Sequence, residues 1–417
     1  MNSKVLGSMM MVAGTTIGAG MLVMPVNSAE VGLGVTLLEL FFFFLLMILP
    51  ALVVIELSQF APRGSTVAGL LRLEFGNGGF IVGNLLFYVF VYSLTCAYIS
   101  GLSDVFGKML GVPQNYQSIF TIAVVLVLGL IVIFTSRFAD LVNRIFFYLM
   151  CVAFVVLVVM SIPNLKVEYL ASTPVSSSAV IKSIPIFFLT FGFHIIIPAL
   201  SDYLDRNTRD LKIAIVGGLA IPFVVFSIWV IMIHGQVSQE ELIVFSQSGD
   251  VSVADLIAHG HANKFLNITI STFSICALLT SFIGVSLALI TTLKETFSRS
   301  LPKKSEYVTN HLEEESEEVI YGSTDRIKTF LNRPALFLVA FAIPTFVVLY
   351  TPEAFVFFLK LAAVIFTVQN LVLPIIALIR MRVRHKELYA YPKAYRLSLN
   401  NIVLGIVALI LLVLAFM

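Results

Sequence analysis

The run Val12-Ala13-Gly14-Thr15-Thr16-Ile17-Gly18-Ala19-Gly20-Met21, with Pro25 just beyond, decides the fold. It sits inside an apolar stretch, residues 5–27, long enough to cross a bilayer. Three glycines and two threonines between positions 14 and 20 are poor helix formers. A spanning helix is therefore expected to break there. A second run, Pro185-Ile186-Phe187-Phe188-Leu189-Thr190-Phe191-Gly192-Phe193-His194 with Pro198 after it, has the same character. Inside a bilayer, freed backbone groups find no partner in lipid, so they must face protein, water or a ligand.

The rest of the chain supports this reading. Of its 417 residues, 59% are hydrophobic and only 12% are charged. Soluble domains run near 25% charged, so a soluble or disordered protein is excluded and an all-α polytopic membrane protein is expected. Apolar segments at 5–27, 34–57, 80–106, 118–134, 141–162, 184–204, 213–234, 265–293, 335–350, 354–379 and 402–417 predict eleven transmembrane helices. Continuous runs such as LELFFFFLLMIL (38–49) are too long and too uniform for barrel strands.

Charge sets the expected orientation. With the N-terminus in the cytoplasm, four of the 26 Lys and Arg residues fall in outer segments: Lys108, Lys166, Lys182 and Lys264. Lys360 falls within a helix, and all the others lie inside, which is the bias expected of cytoplasmic loops. The C-terminus is then periplasmic. The first helix starts behind Lys4 and is expected to be retained. An inner loop, 294–333, carries the acidic run Glu313–Glu318, which reads as a solvated segment. Cys96, Cys151 and Cys276 lie in apolar runs and read as packing residues.

The two interrupted segments are the first and the sixth, five apart. Five is odd, so two groups of five would have opposite topology. Paired breaks at matching places in two halves point to a transporter site on inverted repeats. A half-helix N-terminus offers free N–H groups to a carboxylate. The opposite broken end offers carbonyls to an ammonium or a metal cation. An amino acid zwitterion has both charges. Gly14 and Gly18 also have the small-xxx-small spacing of plain helix packing, and that reading stays open.

No HExxH, GxSxG, P-loop or Cys/His cluster is present, so an enzyme is not expected. A channel would call for rings of like residues or a filter repeat. A net charge of +2 gives nucleic acid no purchase. Neither a cofactor nor a protein partner is expected.

GTTIGAGMLVMP (14–25) and FGFH (191–194), with SLTCAYISG (93–101) and LLTSFIGVSLAL (278–289), resemble the hydroxy and aromatic amino acid permeases. Within that family the likeness is to the bacterial tyrosine-specific branch, and it spans nearly the whole chain. The family belongs to the amino acid–polyamine–organocation superfamily. The resemblance implies the LeuT fold, a 5+5 inverted repeat (about 4–162 and 184–380) with an extra helix (398–417). It also implies cation-coupled uptake of an aromatic amino acid, foremost tyrosine, by alternating access across a bacterial inner membrane. Tryptophan or a hydroxy amino acid is the alternative.

By the same resemblance Gly14, Thr15, Thr16, Ile17, Gly18, Ala19 and Gly20 would hold the substrate's charged groups. Phe191, Gly192, Phe193 and His194 would form a second wall, with Tyr98 facing the site. Tyr98 reads equally as an interhelix hydrogen bonder, and His194 as a neutral imidazole on a carbonyl. The coupling ion is a proton or sodium. A sodium site would use Gly14, Ile17, Ala277, Thr280 and Ser281. The fifth helix, NRIFFYLMCVA (143–153), lacks the mid-helix lysine of many proton users. Glu39 and Lys360 lie at similar depth, which permits a pair or two separate snorkelling chains.

Overall fold

The computed structural model describes residues 3–134, 136–173, 175, 177–247, 264–297, 333–351, 355–385, 397 and 399–416. The acidic run 313–318 and most of the 294–333 loop lie outside the described residues.

Every expected apolar segment contains helix. The first span is two helices, α1 (Ser3–Thr16) and α2 (Ala19–Asn27), bent by 51° at the break. Then come α3 (Leu33–Ser58), α4 (Val67–Leu110), α5 (Gln117–Phe134) and α6 (Ser136–Ser161). A short α7 (Val167–Leu170) precedes α8 (Ser177–Thr190), which is separated by a non-helical stretch and a 3-10 turn from α9 (Ile197–Tyr203). After α10 (Thr208–Gln236) and the short α11 (Gln239–Gln247) come α12 (Lys264–Phe297) and α13 (Arg333–Tyr350). The chain closes with α14 (Phe355–Phe366), α15 (Leu373–Arg384) and α16 (Asn401–Phe416). Among the described residues eight helices are long and apolar enough to cross a bilayer, nine if α1 and α2 count as one span. The apolar helices Ala335–Tyr350 and Asn401–Phe416 are shorter.

Two segments differ from expectation. The span expected at 80–106 runs from Val67 to Leu110 with a turn at Gly76, where φ is +61°. Left-handed backbone of that kind suits glycine, which has no Cβ to clash. The span expected to be continuous at 354–379 contains a π-helical turn, Thr367–Val372. No glycine marks it; Pro374 begins the helix below. π-turns inside α-helices cluster at functional sites.

Contacts across the ends show how the spans alternate. At the face where α1 begins, the near face, Lys4 pairs with Asp205 at 3.1 Å. There Arg206 donates to the carbonyls of Gln59 and Ala61. At the far face His234 meets Ser28 at 3.1 Å, and Gln239 donates to the carbonyls of Ala29 and Thr173. Thus α1, α9 and the end of α3 share one face, while the ends of α2 and α10 share the other.

The broken helices lie inside. α2 packs on α8, α14 on α8 and α4, and α1 on α10. Phe43 of α3 stacks on Phe187 at 5.5 Å and meets Phe188 edge-on at 4.9 Å. In lipid such packing rests on dispersion, about 0.1–0.2 kcal/mol per atom pair, since there is no water to expel. Peripheral helices show apolar side chains outward, such as Ile119, Leu126 and Val127 on α5 and Ile402, Ile406 and Leu409 on α16. A bilayer is the solvent that such faces match.

Candidate functional site

The two breaks meet. α1 ends at Thr16, Ile17 and Gly18 are non-helical, and α2 starts at Ala19. α8 ends at Thr190, and Phe191 to Phe193 are non-helical. A Cβ built on Gly20 would stand 2.7 Å from Thr190 Oγ1 and 3.2 Å from its Cα. The N-terminus of α2 therefore touches the C-terminus of α8. The first carries about half a positive charge and the second about half a negative one. Helix ends of this kind leave N–H and C=O groups without intrahelical partners.

A third contact joins this point from α12. A Cβ on Gly18 would lie 2.7 Å from Ser281 Oγ. Ser281 is also hydrogen bonded to the buried Tyr98 of α4. Gly18, Ser281 and Tyr98 thus join the first break to α12 and α4. Thr280 turns inward along its own helix, where its one hydroxyl hydrogen is shared between the carbonyls of Cys276 at 2.9 Å and Ala277 at 3.1 Å. Ala277 is fully buried.

Not every expected residue joins these contacts. Gly14 faces α6, with Phe147 Cε2 as its nearest neighbour at 3.8 Å. The Thr15 and Thr16 hydroxyls donate back to Met11 O and Val12 O, and Thr15 is exposed while Thr16 is buried. The Ile17 amide still bonds Ala13 O, so the helix gives way only beyond it.

The second wall is closed by aromatic rings. Phe191 and Phe193 are fully buried, Phe191 edge-on to Phe226 at 5.5 Å. Gly192 lies against Phe366, the residue before the π-turn, with 3.2 Å left for a Cβ. His194 is fully buried, with its ring 4.5 Å from Phe193 and 5.7 Å from Phe366. Its Nε2 is 3.0 Å from Met47 O. A carbonyl only accepts, so Nε2 carries the hydrogen. Nδ1 has no hydrogen-bond partner.

Several participants carried no sequence signal. Phe366 closes on the second break at Gly192 from 174 positions further along the chain. In the π-turn, Gln369 donates to Gly83 O at 3.1 Å, and neither amide atom of the fully buried Asn370 has a partner. Glu39 does not pair with Lys360. Ser183 Oγ lies 2.7 Å from its Oε1, and Lys360 is exposed. Helical rotation, not depth, decides who meets whom. A cavity of about 370 Å³ lies one turn further along α4 from Tyr98, lined by Leu22, Ser100, Gly101, Gln117 and Leu278 among others. It contains none of the expected site residues.

The tryptophan/tyrosine permease family model matches residues 1–312. Tyrosine-specific transport system 1 of Haemophilus influenzae is 30% identical over 93% of this chain and 90% of its own. Tyrosine-specific transport system 2 of the same organism is 31% identical over 98% of this chain and 95% of its own. Among solved structures, MhsT in complex with L-phenylalanine superposes with a TM-score of 0.64 at 15% identity, covering 99% of this chain and 98% of that one. The fold is therefore that of the LeuT-like transporters. Broken helices joined at their ends, a lipid-facing surface and these relatives agree: the chain belongs to the tryptophan/tyrosine permease family, as a multi-pass membrane transporter of amino acids.

Proposed function

We propose that the chain is a proton-coupled symporter that imports an aromatic amino acid, tyrosine foremost, by alternating access. The observation that carries this reading is the contact between Gly20 and Thr190. It sets a positive half-helix end beside a negative one, which matches the carboxylate and ammonium of a zwitterion without a charged side chain. The Haemophilus relatives favour tyrosine as the cargo. Tryptophan and hydroxy amino acids are the alternatives within the family. Eleven spans, with the near face cytoplasmic and the C-terminus periplasmic, follow from the basic residues gathered at the near face.

A sodium-coupled reading draws on a separate observation. Ser281 Oγ lies against the break at Gly18, and hydroxyl and carbonyl oxygens suit a hard cation. The test is uptake of labelled L-tyrosine into proteoliposomes with imposed gradients, competed by unlabelled amino acids. The proposal expects uptake to follow a pH gradient and to be competed first by tyrosine. Uptake that follows only a sodium gradient supports the second reading.

A further inference from the structure

Glu39 stands on α3 about 9 Å from its far end, at 1.5 Å per residue. It is 7% exposed. Ser183 of α8 has its Oγ 2.7 Å from Glu39 Oε1 and 2.7 Å from Val180 O. A hydroxyl has one hydrogen. The Val180 carbonyl can only accept, so it competes with Glu39 Oε1 for that one hydrogen. A neutral carboxyl relieves that competition, because it carries a hydrogen of its own and can donate to Ser183 Oγ while Ser183 donates to Val180 O. Glu39 Oε2 has no partner, which suits the carbonyl oxygen of a neutral acid and not one arm of a carboxylate.

The surroundings agree. Among the described residues no cation forms an ion pair with Glu39. Lys182 on α8 and Lys360 on α14 are exposed. His234 of α10 is held at Ser28, and His194 beyond α8 at Met47. Asp202 beyond the break pairs with Arg206. Arg382 of α15 is taken by Glu56, and Glu74 of α4 meets Arg380 and His385 at the near face. α2 and α16 carry no titratable side chain. An isolated carboxylate at this depth would be costly.

We propose that Glu39 is the proton-binding site of the transporter, held as a neutral acid that donates to Ser183. The inference rests on the proton-symport reading and names the group that performs it. Its position explains coupling. Ser183 is on α8, whose last residue, Thr190, lies against Gly20. Asn27, at the end of α2, donates to Ser183 O at 3.0 Å. Both broken helices therefore bear on the residue that receives the Glu39 hydrogen. Displacement of α8 against α3 removes that acceptor and opens the carboxyl to water, so the proton leaves Glu39 for solvent as the helices move. The proton bound on one side is the proton released on the other.

The test compares full-length wild type, Glu39→Gln and Glu39→Asp in proteoliposomes with labelled L-tyrosine. Glutamine keeps a donor for Ser183 but cannot lose it. At one proton per substrate, a one-unit pH gradient sustains about tenfold accumulation. The proposal expects wild type to reach it and Glu39→Asp to retain gradient-driven accumulation at a reduced rate. Glu39→Gln should exchange tyrosine without a gradient within about twofold of wild type, yet accumulate none. Gradient-driven accumulation by Glu39→Gln overturns the proposal, and so does loss of exchange in a folded Glu39→Gln. If Glu39→Gln does not fold, infrared difference spectra of wild type and Ser183→Ala decide. A protonated-carboxyl band that shifts on Ser183→Ala supports the assignment, and an unshifted band overturns it. A wild type that ignores pH and follows sodium overturns the proton reading itself, a failure visible without any variant.

Discussion

Glu56 and Arg382 form a two-pronged ion pair 326 positions apart in the chain, with Nε–Oε1 at 2.8 Å and Nη2–Oε2 at 2.6 Å. Their side chains are 0% and 1% exposed. Arg382 also donates to Leu397 O and Leu399 O, and the Leu397 amide donates to Glu56 Oε2. The near ends of α3 and α15 and the segment entering α16 are thus tied by one network, and the buried charges are well supplied with partners.

Removing one member leaves the other as a buried, unpaired charge. Glu56→Gln and Arg382→Met should each lose about 3–5 kcal/mol of stability. Thermal unfolding of the detergent-solubilised protein measures this. Arg382→Lys should not rescue, because an ammonium cannot reproduce the planar two-pronged geometry.

Gly20→Ala drives a methyl group into Thr190. Overpacking of this kind costs about 1–3 kcal/mol, and here it forces apart the two half-helix ends that the transport reading depends on. Labelled tyrosine uptake should fall about tenfold or more. Gly284→Ala on α12 has nothing within 4 Å of the added carbon and should leave uptake within about twofold of wild type.

Tyr98 and Ser281 share one hydrogen bond. Tyr98→Phe and Ser281→Ala should each weaken tyrosine uptake, and the double variant should be milder than the sum. A coupling energy of about 0.5–1.5 kcal/mol is expected from a double-mutant cycle on kcat/KM. Strict additivity would mean that the pair does not act as a unit.

Gly76 and Gly78 make a matched pair on α4. Gly76 has φ at +61°, so Gly76→Ala should cost about 1–2 kcal/mol. Gly78 is helical with open space around it. Gly78→Ala should be neutral or stabilise by up to about 1 kcal/mol. Unfolding temperatures of the two variants, measured side by side, test the turn.

The sequence announces the breaks because glycine and threonine inside apolar runs contradict the helix that a bilayer demands. The residues from Gly14 to Gly20 and from Phe191 to His194 were legible for that reason. What a residue faces was not. Gly14 belongs to the first motif yet looks toward Phe147, because each helical step rotates the side chain by about 100°. Glu39 and Lys360 matched in depth and differ in direction. Phe366, the π-turn at Thr367–Val372 and the Glu56–Arg382 pair arise from long-range packing, and TVQNLV (367–372) has no composition that distinguishes it from ordinary helix.

The most direct measurement is a structure of the protein with L-tyrosine bound. The account predicts the carboxylate at the amides that open α2, near Gly18 to Gly20, and the ammonium toward the carbonyl end of α8 at Thr190. Tyrosine seated instead in the cavity beside Ser103 and Gln117, with the two breaks still in contact, would contradict it.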